Sequence, residues 1–266
     1  TITITHNGTA YALTEWVQPE YSGTYGTHGL VVQEGQTYDL DVRYTETGTG
    51  KQHHLTASTT VPFIPQNTRY ELTQGQIFRQ RRFGIADDNI DTLIFPRQLA
   101  DPDKYPPYGD DVTRPFGLWW DPSPNAAGYL VGVTAQDTAG TGMLRRSDYK
   151  DWLDGDYATN RDRRMMQSLG FGAHRDTTHV DNYWFLYRYR GDFVIGVIAV
   201  DTNYWDFFRS SGGGDVGGTG SDWDEGTIFH VSGGLGVFGS YAQSEELKTN
   251  IVREYDPVSM TLTLVD

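Results

Sequence analysis

The chain has 266 residues, enough for one large domain or two small ones with a proper core, and its formal charge is −14, from 35 acidic and 21 basic side chains. That balance repels a nucleic-acid backbone, and the short basic cluster Arg79–Phe83 (RQRRF) does not offset it, so nucleic acid is excluded as an expected partner. With no cysteine in the chain, disulfides, thiolate metal sites and cysteine nucleophiles are also excluded.

Aromatics make up 14% of the residues, and 31 glycines accompany them. Abundant Tyr, Trp and Thr between short apolar runs favours sheet over helix, because such side chains suit a pleated, half-buried surface. No apolar run approaches the roughly 20 residues of a membrane span, and the opening TITITHNGT lacks the basic and apolar regions of a signal peptide.

Residues 1–65 read as an immunoglobulin-like β-sandwich lacking its first strands. Ile2 and Ile4 alternate in TITIT, and EGQTYDLDV turns at Gly35 before setting Tyr38, Leu40 and Val42 against Asp39, Asp41 and Arg43. His53 and His54, as neighbours on a strand, are expected on opposite faces. Pro62 and Pro65 end the run, since proline donates nothing to a ladder.

Residues 66–114 read as a connecting segment, with one short strand in ADDNIDTLIF and a Pro- and Asp-rich loop after it. Residues 115–266 read as a second β-sandwich. Trp119 and Trp120, a Pro-Ser-Pro-Asn turn and GYLVGV resemble an early fibronectin-like hairpin. Residues 145–169 form the expected helical insertion, capped at Ser147 and closed at Gly170. Two strands flank the turn at Arg190–Asp192. TNYWDFFRSS predicts a short helix capped by Thr202 or Asn203, QSEELKTNI a possible further helix, and SMTLTLVD a closing strand. The fold class is therefore mainly β, two immunoglobulin/fibronectin-like sandwiches with short helical insertions.

Four features carry chemical potential. Gly234, Gly236 and Gly239 spell G-x-G-x-x-G within FHVSGGLGVFGSY, but a dinucleotide site needs a βαβ unit with further strands and helices. Only 27 residues follow Gly239, so the expectation is a glycine-rich late strand or bulge. Asp222, Asp224 and Glu225 crowd a glycine-rich loop and could ligate a structural calcium ion, the one cofactor considered. Within that loop Trp223 is the best candidate for an exposed aromatic that stacks on a glycan or peptide. Trp119, Trp120, Trp184 and Trp205 either join such a platform or fill the cores. His174 and His179, with Asp176 and Asp181, show no zinc-protease spacing, and no G-x-S-x-G elbow is present.

Four segments occur in an order that resembles a known family: VQEGQTYDLDVRY, TASTTVPFIP, VIAVDTNYWDFFRSS and, above all, IFHVSGGLGVFGSYA. The chain resembles the domain-of-unknown-function lipoproteins of Bacteroidota and relatives, often encoded beside TonB-dependent outer-membrane receptors. The family's closing motif carries an Asn-Ile that HVSGGLGVFGSY lacks. The resemblance implies two β-sandwich domains, export, attachment at the cell surface and no established catalytic residues. Family members begin with a lipid-modified cysteine and extra strands, neither of which stands here, which implies a processed or partial chain. Export is consistent with the Asn7–Thr9 sequon and with Thr92, Thr138 and Thr177, which sit in Asp-Thr-x tripeptides like the Bacteroidota O-glycosylation signal.

Three functions follow as expectations. The first is a non-catalytic surface lipoprotein accessory to a TonB-dependent receptor. The second is a structural subunit of an extracellular filament or adhesive assembly, whose copies join by strand addition. The third is a calcium-dependent glycan-binding protein or a secreted hydrolase.

Overall fold

A computed structural model describes residues 1–15, 23–72, 77–78, 91–95, 116–136, 170–174, 176–182, 191–210 and 227–253. Strands dominate these residues, with one short helix, as the aromatic and β-branched composition predicts.

The first sheet has four antiparallel strands in the order β2-β1-β5-β6: β1 Ile2–His6, β2 Thr9–Ala12, β5 Thr37–Thr45 and β6 Gln52–Thr60. Asn7 (φ 49°) and Gly8 (φ 77°) close the β1–β2 hairpin with two positive φ angles, which match the right-handed strand twist and are accessible to Asn and Gly. The strands read from TITIT and EGQTYDLDV are found as β1 and β5, and the predicted alternation is met in the register. Leu40 pairs with Ile4 and Ala57, and Val42 with Ile2 and Leu55, while Asp39, Asp41 and Arg43 lie on the other face. A two-residue pair, β3 Thr14–Glu15 with β4 Tyr25–Gly26, continues from β2.

Tyr38, 3% exposed, anchors one end of the apolar face. His6 stacks on its ring at 4.5 Å, its hydroxyl accepts from the Gln33 amide at 2.9 Å, and Val31 O accepts from that hydroxyl at 3.4 Å. Ile2, Ile4, Leu40, Val42 and Leu55 on the same face are only half-buried.

A seven-stranded sheet carries the main core. Its order is β12 Gly170–His174, β11 Gly128–Ala135, β14 Gly191–Val200, β16 Leu247–Arg253, β9 Asp91–Phe95 and β8 Ile77–Phe78, with β15 Tyr241–Gln243 also on β14. One face of the β11–β14 ladder pairs Tyr129 with Ala199, Val131 with Val197, Val133 with Ile195 and Ala135 with Phe193, and all eight are buried. Burial of such side chains contributes roughly 1.5–3 kcal/mol each for the large ones. A three-stranded sheet, β13 His179–Asn182, β10 Phe116–Trp119 and β7 Arg69–Leu72, joins this core through Trp120, whose ring lies 5.2 Å from that of Tyr129.

Several local expectations are corrected. Trp119 and Tyr129 do not share a hairpin, because β10 and β11 belong to different sheets. The connecting segment supplies three strands, β7 pairing with β10, and β8 and β9 joining the large sheet, where β9 runs parallel to β16. QSEELKTNI is not a helix. It forms β15 and β16 around a bulge at Ser244, whose amide donates to Val197 O at 2.8 Å while its Oγ accepts from the Val197 amide at 3.1 Å. Pairing with β14 and β9 on both sides outweighs the modest helix propensity of Glu-Glu-Leu-Lys.

The short helix is found at Thr202–Phe208 (α1), but its cap is the preceding residue, Asp201. The predicted helix at 145–169, the basic cluster at 79–83 and the strand SMTLTLVD lie outside the described residues.

Candidate functional site

A cluster of long-range polar contacts sits where the first sheet meets α1. Asp201 leaves β14 and caps the helix: its Oδ1 accepts from the Tyr204 amide at 2.9 Å. Its Oδ2 accepts from Thr59 Oγ1 of β6, and both residues are buried, at 4% and 5% exposure. Ser240 Oγ lies 2.7 Å from Thr59 Oγ1. With the Thr59 proton committed to the carboxylate, the Ser240 hydroxyl is the donor in that pair. Asn203 spends both amide protons across the joint, donating to Ser58 O at 2.6 Å and to Phe238 O at 2.8 Å.

The glycine-rich segment crosses the same joint. Ser232 and Thr56 exchange two backbone hydrogen bonds, 3.0 and 2.8 Å, as an isolated antiparallel bridge. Gly233 follows with φ +83°, its Cα so near His54 O that a Cβ would collide with that carbonyl. A Cβ at Gly234 would strike the Leu55 side chain, and one at Gly239 would meet Tyr204 Cβ at 2.8 Å.

The expected late strand is therefore corrected to an extended strap with one bridge. It leads into β15 rather than a helix, so the turn a dinucleotide fingerprint requires is not formed. Close backbone approach is what the glycines provide.

Large apolar side chains are exposed along this unit. Leu235 at the strap's turn is 81% exposed, and Val31 is 74% exposed, with Val32, Val237 and Phe63 also open to solvent. Phe63 lies against Gly35, and Val31 against Tyr38, at the well-packed end of the first sheet.

Charged groups form small local sets. On the wet face of the first sheet Asp41 accepts from Arg43 Nε at 2.9 Å and from His54 Nε2 at 2.6 Å, and these two bonds, Arg43 first, hold its carboxyl below the usual carboxylate value. His53 projects to the opposite face, as predicted, where it stacks on Tyr44 at 4.7 Å and lies 3.6 Å from Glu46. Hydrogen bonds from Thr49 and His53 lower the Glu46 pKa. Asp206 of α1 accepts from His230 Nε2 at 2.8 Å and lies 3.8 Å from Arg209. His179 packs on Trp119, ring centroids 4.0 Å apart, with Asp181 at 3.7 Å.

Among the described residues, no group of three or more His, Cys, Asp or Glu is placed to hold a metal ion. Asp222, Trp223, Asp224 and Glu225, proposed from the sequence for calcium and ligand, lie outside the described residues, as do Thr138 and Trp184. Asn7 stands exposed on the β1–β2 turn, its amide donating to His6 Nε2 at 3.0 Å. Thr92 belongs to β9, paired with Phe78 on one side and Asn250 on the other. Thr177 is half-buried before β13. Trp120 is a core residue, and Trp205 packs over Gly128, where a Cβ would collide with its indole.

The sequence reading missed the Asp201–Thr59–Ser240 tie altogether. An Asp before Thr-Asn-Tyr-Trp was a visible capping signal, but the Thr59 contact spans 142 positions and left no local trace. No protein-family model, curated protein or solved structure matches this chain. Among the described residues no helix is long and apolar enough to cross a membrane.

Proposed function

We propose that this chain is a non-catalytic, exported β protein of the cell surface that acts by binding, as an accessory to a TonB-dependent outer-membrane receptor. The observation that carries the reading is the set of large apolar side chains left in water on the first-sheet unit: Leu235, Val237, Val31, Val32 and Phe63. Exposed apolar side chains in this number on one unit favour a binding role, because leaving them wet forfeits roughly 25 cal/mol per Å². The half-buried face of Ile2, Ile4, Leu40 and Val42 belongs to the same unit. The family resemblance supplies the class of partner.

Two immunoglobulin-like sandwiches are the finer fold reading that goes with this proposal. Contact between the three- and seven-stranded sheets through Trp120 and Tyr129 supports the second of them.

The test is co-purification from detergent-solubilised outer membranes of the source cell. The protein is expected to elute with a TonB-dependent receptor, and Leu235→Asp with Val31→Asp to abolish that association while leaving the melting temperature unchanged. A wild-type protein that never elutes with such a receptor would refute the reading. A second reading, assembly by strand addition, draws on β2 at the outer end of the first sheet. Electron microscopy of native material showing ordered polymers would favour it.

A further inference from the structure

The strand β6, QHHLTASTT, ends the first sheet, yet none of its nine residues is Asp, Glu, Lys, Arg or Pro. Sheet edges are normally protected by charge, proline, a bulge or a short strand, because an uncovered edge pairs with another chain. At the other end, β2 is only four residues long, which is protection in itself. β6 has no such device in its own sequence.

Its protection comes from elsewhere in the chain. The Thr56 amide and carbonyl both bond to Ser232, so they point away from β5, and strand alternation makes the even-numbered residues of β6 the outward-bonding ones. Of three consecutive outward carbonyls, two are then hydrogen-bonded and one is sterically covered. Gly233 lies against His54 O, the Ser232 amide donates to Thr56 O, and Asn203 Nδ2 donates to Ser58 O. Asn203 also holds the strap itself, through Phe238 O. Ser232 to Leu235 are exposed, so the strap lies on the outside of the edge rather than beneath it.

We propose that the Val231–Ser240 strap is a built-in guard on the β6 edge: it occupies the positions on which a second copy of this chain would otherwise add its own β6. The occupant it excludes is a second copy because β6 is complementary to itself. Antiparallel pairing of two β6 strands about a twofold axis matches outward amides with outward carbonyls and brings no like charges together. This inference is independent of the receptor reading, since it concerns only what the closed strap prevents.

The test uses the full chain. Gly233→Val forces the strap off His54 O, and Asn203→Ala removes its side-chain tie while placing a good helix former in the first turn of α1. Both are expected to raise the hydrogen-exchange rate of the Thr56 amide, by about tenfold or more, and to convert a monomer into a dimer in sedimentation velocity. Adding Thr56→Lys with Ser58→Lys, both exposed positions, is expected to restore the monomer by placing like charges on the edge. Asn203→Ala serves by itself if Gly233→Val fails to fold. The proposal is overturned if the Thr56 amide is deprotected and the protein stays monomeric, if deprotection does not occur in a folded Asn203→Ala protein, or if the lysine pair leaves the dimer intact.

Discussion

Replacing Asp201 tests whether one buried carboxylate joins the two parts of the molecule. Asp201→Ala removes the helix cap on the Tyr204 amide, which costs about 1 kcal/mol, and the charge-assisted bond from Thr59, which costs about 2 kcal/mol. The sum, about 3 kcal/mol, corresponds to a fall in melting temperature of roughly 6–12 °C for a chain of this size. Asp201→Asn keeps a side-chain oxygen for the cap and offers Thr59 an amide, leaving Ser240 to accept the Thr59 proton, so it is expected to cost about 1 kcal/mol. Thr59→Val deletes the hydroxyl in a buried position and is expected to cost about 2 kcal/mol. Urea unfolding followed by tryptophan fluorescence, with the slope held constant across variants, measures all three. The Asp201→Ala/Thr59→Val double variant is expected to cost less than the sum of the singles, because both remove the same bond. Equal costs for Asn and Ala at 201, or a Thr59→Val cost below about 0.5 kcal/mol, would refute the reasoning.

Gly128→Ala is expected to destabilise by about 1–3 kcal/mol in calorimetry, because its methyl group meets the Trp205 indole; an unchanged melting temperature would show that the ring moves freely. Tyr129→Phe leaves the buried Ser123 amide without its 2.7 Å acceptor and is expected to cost about 1–3 kcal/mol by the same assay. The Asp41 carboxyl is held below its ordinary value of 3.8 by Arg43 and His54, so its contribution is present above that value and is lost as pH falls through the lowered one. Arg43→Ala is expected to move the Asp41 titration, followed by NMR, back toward 3.8, and an unmoved curve would remove Arg43 as the cause. The calcium reading of Asp222, Asp224 and Glu225 predicts a lower melting temperature in chelator, restored by calcium and abolished in Asp222→Asn/Asp224→Asn; identical curves with and without chelator would dismiss it.

Period-two alternation, β-branched and aromatic composition and turn residues mark the chain as mainly β. Ile2 and Ile4 could be placed on one face of their strand, Tyr38, Leu40 and Val42 on one face of theirs, and His53 opposite His54, because a strand's side-chain period is a local property. That the two sets share a face came from the pairing. The short helix after β14 was also legible locally, although its cap is Asp201 rather than Thr202 or Asn203. Pairing was not local. That Trp119 and Tyr129 lie in different sheets, that 66–114 feeds strands into both, and that QSEELKTNI is extended are decided by partners tens to hundreds of residues away. Most of all, the glycines of FHVSGGLGVFGSY were visible in the sequence, but their use was not. Only the tertiary structure brings Gly233 to the carbonyl of His54 and seats Asp201 under Thr59, because close approach between distant backbones leaves no periodic signal in either one.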